Sequence, residues 1–143
     1  RPPRSTLFPY TTLFRSESAT LQLYPVKGTY GGMYPLPQTL SLYTANKDNV
    51  TQGVITDLTG NSVQTGNLVV DEVTYEKTYY SFDLTSFLQT NLGTTGYNRQ
   101  KLQLILPDNL FFTTLQGVIF GDGDNTTNRE TTKLIILYKT YQK

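Results

Sequence analysis

Tyrosine is the residue type in this chain that is best suited to binding a ligand. Its ring stacks on the faces of sugar rings, and its hydroxyl adds a hydrogen-bonding group. Five of the eleven tyrosines fall in predicted loops or on predicted outward faces: Tyr30, Tyr34, Tyr75, Tyr79 and Tyr97. Of these, Tyr30, Tyr34, Tyr75 and Tyr97 are the candidate ligand-binding residues. Tyr30 and Tyr34 share one glycine-rich loop and are the first candidates. The alternative interpretation is that the tyrosines only cover sheet faces and the bases of loops.

The residue types needed for the common catalytic centres are missing or unpaired. The sequence contains no histidine and no cysteine, which excludes Ser-His-Asp and Cys-His arrangements within it and removes the usual zinc and haem ligands. Glycoside hydrolysis needs two carboxylates across a cleft, and nothing pairs the acids of the turn-like stretches: Asp57, Asp71, Glu72, Glu76, Asp122 and Asp124. The sequence therefore predicts a protein that is not an enzyme, with no catalytic residues.

One acidic loop has ligand types that suit calcium. Asp122, Asp124 and Asn125 supply the oxygen ligands that this hard cation prefers. The loop lacks the full spacing and the terminal glutamate of an EF-hand, so the alternative is an ordinary solvated turn. These three residues are the candidate metal ligands. We predict no cofactor other than calcium.

The first sixteen residues resemble a translated sequencing adapter. All sixteen codons of the universal short-read adapter translate into residues 1–16 without a mismatch. Such segments are set aside before any argument about the fold. We expect residues 1–16 to be non-native and disordered, and the natural sequence to begin near Glu17, with a signal peptide or an upstream domain missing.

The charge balance argues against a nucleic-acid partner. The whole chain has 12 basic and 11 acidic residues, and three of the arginines lie in residues 1–16. Without that segment the acids outnumber the bases, so no basic surface is predicted for a phosphate backbone. No apolar run approaches the length of about 18–20 residues that a membrane-spanning helix needs.

Short alternating segments separated by turn residues dominate the rest of the chain. Period-two alternation and turn signals predict about eight strands, over residues 19–24, 39–43, 54–57, 68–70 or 68–75, 78–83, 102–106, 116–121 and 133–141. The last strand is apolar at both parities, so we expect it to be buried on both faces or to lie in mid-sheet. Helical spacing from Leu84 to Leu92 predicts one short helix, capped by Asp83 or Thr85.

The order of these elements predicts the fold class. Strands without alternating helices indicate an all-β fold, an antiparallel β-sandwich of the jelly-roll type with about eight strands and one short helix. Residues 17–143 are expected to form a single domain, the C-terminal module of a truncated longer protein.

Five segments follow one another along the chain: Ala19-Thr-Leu-Gln-Leu23, Tyr34-Pro-Leu-Pro37, Leu40-Ser-Leu-Tyr43, Tyr80-Ser-Phe-Asp-Leu-Thr-Ser-Phe-Leu-Gln89 and Lys133-Leu-Ile-Ile-Leu-Tyr138. In their order and spacing they resemble the C-terminal part of a family of Bacteroidota lipoproteins known as domain of unknown function 4270. The resemblance implies an extracytoplasmic lipoprotein, anchored in the outer membrane by a lipid, whose signal and lipobox lie upstream of this fragment. It implies no catalytic residues. Phe82-Asp-Leu-Thr85 also resembles a strand-to-helix joint of jelly-roll carbohydrate-binding modules, where its role is structural.

Two functions follow from these observations. The first is a non-enzymatic cell-envelope module that binds a glycan or another surface component through loop aromatics. The alternative is a structural or assembly module of a surface lipoprotein that makes protein–protein contacts. In either case we expect the protein to contact the membrane only through the lost lipid anchor. The sequence does not define an oligomeric state.

Overall fold

The computed structural model describes residues 14–57, 59–74, 77–92, 100–121 and 132–140. Seven strands and two helices follow one another along these residues. They are β1 (Phe14–Leu23), β2 (Thr39–Ala45), β3 (Thr51–Val54), β4 (Thr65–Val69), β5 (Tyr79–Asp83), α1 (Thr85–Leu92), β6 (Lys101–Ile105), α2 (Asp108–Phe111) and β7 (Lys133–Thr140). All pairings between these strands are antiparallel. The predicted all-β, sandwich-like fold class is confirmed.

Strand β2 lies at the branch point of the sheet. It pairs with β4 through residues 39–41, with β3 through residues 43–45 and with β6 through residues 41–45. A strand has only two edges, so β3 and β4 follow each other along one edge and β6 occupies the other. From β4 the sheet continues through β5 and β1 to β7. One sheet therefore carries all seven strands around the core.

The core is built from the inward faces of β1, β2 and β5. Period-two alternation buries Ala19, Leu21 and Leu23 of β1 and both Tyr80 and Phe82 of β5, as the sequence pattern predicts. Leu40 and Leu42 of β2 complete this layer, and Phe87 and Leu88 of α1 pack against it. Burial of this apolar surface is the main force that stabilises the fold.

The joint between β5 and α1 confirms the predicted cap. The Asp83 carboxylate accepts hydrogen bonds from the backbone N–H and the hydroxyl of Thr85, at 2.9 and 2.6 Å. The Thr85 hydroxyl oxygen in turn accepts the backbone N–H of Ala19 in β1, at 3.0 Å. The joint thus starts the helix and also fixes it to the sheet.

Three predicted strands differ from the observed ones. The strand predicted over 54–57 lies at Thr51–Val54 instead, and Thr56 makes only an isolated bridge to Val63. Residues 114–119 form no regular strand, and Phe120 makes only an isolated bridge to Pro25. Proline has no backbone N–H to donate, so a ladder cannot continue at this position. The strand predicted over 68–70, or over 68–75, ends at Val69. The longer alternative is wrong, because Asp71 accepts the backbone N–H groups of Val73 and Thr74 in a tight turn.

The prediction that the closing strand is buried is wrong. In β7, residues Leu134 to Tyr138 have side chains that are 44–58% exposed. Among the described strands β7 pairs with β1 alone, so its apolar residues at both parities extend beyond the core. The sequence pattern reports the apolar character of a strand but not whether a second layer covers it.

The structure also differs from the expected disorder of residues 1–16 at the end of that segment. Strand β1 begins at Phe14, and Phe14, Arg15 and Ser16 pair with Thr140, Lys139 and Tyr138 of β7. Backbone pairing does not depend on side-chain identity, so residues 14–16 can extend the ladder with β7 whatever their origin. Residues 1–13 lie outside the described part of the chain.

Candidate functional site

The glycine-rich loop, residues 25–38, is held in place at three points. Near its start, the Val26 N–H donates to the Ile119 carbonyl at 2.8 Å, and Gly28 adopts a φ of 82° that glycine tolerates without strain. In its middle, Gly31 and Tyr34 exchange two backbone hydrogen bonds of 3.1 Å. Near its end, the Pro37 carbonyl oxygen accepts a hydrogen bond of 2.6 Å from the hydroxyl of Tyr80 in β5. The loop is therefore an ordered part of the surface.

A groove of about 630 Å³ lies between this loop, β4 and the segment that joins β4 to β5. We call it the Tyr30 groove. Its lining combines the ring of Tyr30 with apolar and polar side chains. The apolar ones are Pro35, Leu36, Leu68 and Val70, and the polar ones are Lys27, Gln38, Thr74 and Thr78. Leu36 is buried, Leu68 is half-buried, and Tyr30 is half-buried on the loop side. An aromatic face beside an apolar floor with a few polar groups is the usual composition of a small-molecule site.

Thr78 is the unusual member of the groove. Its side chain is only 3% exposed, and its hydroxyl has no hydrogen-bond partner among the described residues. A buried hydroxyl without a partner costs about 1–3 kcal/mol. The sequence gives no signal for this residue, because Thr78 precedes β5 in a run that contains many threonines and tyrosines.

Tyr34 faces a different recess. Its ring is 75% exposed and lines a cavity of about 560 Å³ with Met33, Leu115 and Ile119. Pro35 lines both the recess and the groove. The shared loop therefore brings Tyr30 and Tyr34 to two neighbouring sites and does not combine them into one binding platform.

The remaining candidate ligand residues fall outside the described residues. This applies to Tyr75 and Tyr97, and to the calcium candidates Asp122, Asp124 and Asn125. Within the described ranges, no group of three or more His, Cys, Asp or Glu side chains is placed to hold a metal ion. The described part of the chain also contains no helix that is long and apolar enough to cross a membrane.

Two of the candidate acids are structural turn residues. The side-chain hydrogen bond from Thr74 and the backbone N–H groups of Thr74 and Val73 lower the pKa of Asp71 to about 2. A side-chain hydrogen bond from Thr59 likewise lowers the pKa of Asp57. A general acid at neutral pH needs the opposite shift, so the environments of these acids favour turn formation over proton transfer.

Comparison with known proteins adds no relative. No protein-family model, no curated protein and no solved structure matches this chain. The fold and the groove together define an all-β domain that presents a preformed, aromatic-lined groove beside its sheet.

Proposed function

We propose that this domain is a non-enzymatic module of the cell envelope that binds a glycan in the Tyr30 groove. The observation that carries the proposal is the combination of an aromatic ring, apolar side chains and polar side chains in the lining of one groove of about 630 Å³. Sugars need this combination, because each ring has apolar C–H faces and a rim of hydroxyls. The resemblance to envelope lipoproteins supports the location at the cell surface.

The binding mechanism follows from the lining residues. One sugar ring stacks on Tyr30 and rests against Leu36, while Lys27 and Gln38 are placed to bond its hydroxyls. The loop keeps its shape through the Gly31–Tyr34 backbone bonds and the Val26–Ile119 bond. A preformed site avoids the entropy loss of ordering a loop on binding.

The test compares the mobility of variants in native gels that contain soluble polysaccharides. We expect a bound polysaccharide to slow the wild-type chain, Tyr30→Ala to abolish that effect, and Tyr34→Ala to leave it largely intact. Tyr34→Ala is the matched control, since it removes an aromatic ring from the same loop but from the other recess. Retardation that survives Tyr30→Ala contradicts the proposed site.

The exposed strand β7 favours a second function, a module that assembles with other proteins. Its inner face carries Leu134 and Ile136 opposite Leu21 and Ala19, so it continues the core beyond the covered region. An apolar edge strand is a template for a strand from another protein. Under this alternative the charge-introducing variant Ile136→Lys abolishes capture of envelope proteins, whereas Tyr30→Ala does not.

A further inference from the structure

We infer that β7 pairs edge to edge with β7 of a second copy of this chain, in an antiparallel ladder centred on Ile136. The inference rests on the second proposed function, assembly through β7, and names the partner. Among the described strands β7 pairs with β1 alone, so its other edge faces no described strand. Five consecutive large apolar side chains, from Leu134 to Tyr138, are 44–58% exposed on the two faces of this strand.

The residue pattern of β7 is symmetric about Ile136. One lysine stands at each end of the five apolar residues, so the pattern is the same when the strand is read in either direction. Two antiparallel copies related by a two-fold axis place residues of the same face opposite each other. A ladder centred on Ile136 therefore sets Ile136 opposite itself, Ile135 opposite Leu137, and Leu134 opposite Tyr138. Moving the centre by one residue in either direction places an apolar residue opposite a lysine.

The two lysines at the ends of the stretch do not protect this edge. Edge strands often carry lysines that prevent contact with another sheet, and like charges directly opposite each other destabilise a ladder. In this register Lys133 of one copy lies opposite Lys139 of the other. However, the Lys139 ammonium forms an ion pair with Glu17 of β1, and the Lys133 Nζ lies 5.0 Å from the centre of the ring of Tyr24, directly after β1. Both ammonium groups are thus directed toward β1 and away from the edge that the second copy joins.

The size and symmetry of the contact define the assembly. Stable interfaces bury about 1,600 Å², and a ladder between two single strands buries less. We therefore expect a reversible dimer whose fraction rises with protein concentration. A contact in which each copy uses the same strand closes on itself, so the assembly ends at two copies.

Sedimentation equilibrium of the full chain over a range of concentrations tests the pairing. We expect the average mass of the wild type to rise from one chain to two and no further. Ile136→Lys places two charges side by side at the centre of the ladder, so we expect it to stay monomeric throughout. Leu115→Lys is the matched control, since it introduces the same charge at a fully exposed leucine outside β7. We expect it to dimerise like the wild type.

Cysteine cross-linking tests the register with variants that add no charge to the strand. The chain contains no cysteine, so every disulfide comes from the introduced residue. Ile136→Cys sets two thiols opposite each other, and we expect oxidation to give a covalent dimer. Leu134→Cys lies on the same face, but its two copies are offset by four residues, about 14 Å along the ladder. A disulfide spans Cα atoms no more than about 7 Å apart, so we expect little cross-linking of Leu134→Cys.

Several outcomes overturn the inference. They are a monomeric wild type, a mass that rises beyond two copies, dimers that persist in Ile136→Lys or disappear in Leu115→Lys, and equal cross-linking of the two cysteine variants. A monomer in which every β7 amide exchanges slowly would mean that another segment of the same chain covers the edge.

The fate of the assembly function is read separately. A monomeric wild type that captures envelope proteins, and loses them in Ile136→Lys, would mean that a strand of another protein occupies the edge. Self-pairing would then fall while the assembly function stands. If Ile136→Lys changes neither the mass nor the capture, the assembly function of β7 itself is contradicted.

Discussion

The hydroxyl of Tyr80 donates a hydrogen bond of 2.6 Å to the carbonyl oxygen of Pro37, 43 residues earlier in the chain. Both side chains are fully buried. The bond fixes the end of the glycine-rich loop to the central strand β5, and Leu36, the neighbour of Pro37, lines the Tyr30 groove. A core residue therefore determines where one wall of the candidate site lies.

Tyr80→Phe removes this bond and leaves the ring in place. We expect a loss of about 1–2 kcal/mol in the free energy of unfolding, because the Pro37 carbonyl loses its buried donor. Chemical denaturation measures the loss, and amide spectra of residues 28–36 report the loop. Tyr43→Phe, which changes a half-buried tyrosine of β2, is the control. An unchanged stability in Tyr80→Phe would show that the bond does not hold the loop.

Gly66 permits the close approach of Phe82. A Cβ atom at position 66 would lie 2.3 Å from the Phe82 ring, which is fully buried and cannot move aside. We expect Gly66→Ala to destabilise the protein by about 1–3 kcal/mol through overpacking. Gly117→Ala, with no atom within 4 Å of the new Cβ, is the control. Adding Phe82→Leu to Gly66→Ala should recover part of the lost stability. If Gly66→Ala is as stable as the wild type, the close contact between Gly66 and Phe82 is contradicted.

Thr85 joins the helix to the sheet through its hydroxyl. Thr85→Val keeps the side-chain shape but leaves the buried Ala19 N–H without its acceptor. We expect a loss of about 1–3 kcal/mol and faster hydrogen exchange at the Ala19 amide. Thr85→Ser retains the hydroxyl and should retain both properties. Slow exchange of Ala19 in Thr85→Val would mean that another group accepts this N–H.

Asp71 makes stability depend on acid pH. Its pKa is lowered from 3.8 to about 2 in the folded chain by the Thr74 hydroxyl and nearby N–H groups. Between these values the unfolded chain binds the proton and the folded chain does not, so the stabilisation is present above about pH 4 and is lost as the pH falls through about 2. We expect the urea midpoint of unfolding to fall less steeply with decreasing pH in Asp71→Asn than in the wild type over this range. Equal slopes in the two proteins would contradict the lowered pKa of Asp71.

The sequence correctly predicted those elements whose burial and boundaries follow from a pattern of neighbouring residues. Alternation identified the buried faces of β1 and β5, and the spacing from Leu84 to Leu92 identified α1 together with its Asp83 cap. These features depend on residues that are neighbours in the chain. Hydrophobic periodicity and capping report such local relationships directly.

The features that the sequence did not predict depend on distant partners. The exposure of β7 reflects the absence of a covering layer among the described residues, which no pattern within β7 can report. The separation of Tyr30 from Tyr34 depends on how the loop packs against residues 115–119. The unpaired Thr78 hydroxyl depends on three segments that meet only in the folded chain. Only Tyr30 of the candidate site was therefore foreseen.

A glycan array probed with the full chain, with and without calcium, tests the central claim most directly. We predict reproducible binding to a defined class of glycans, and loss of that binding in Tyr30→Ala. Binding that requires calcium would add a role for the loop that contains Asp122, Asp124 and Asn125. The absence of binding across a broad array would contradict the claim and favour the assembly function of β7.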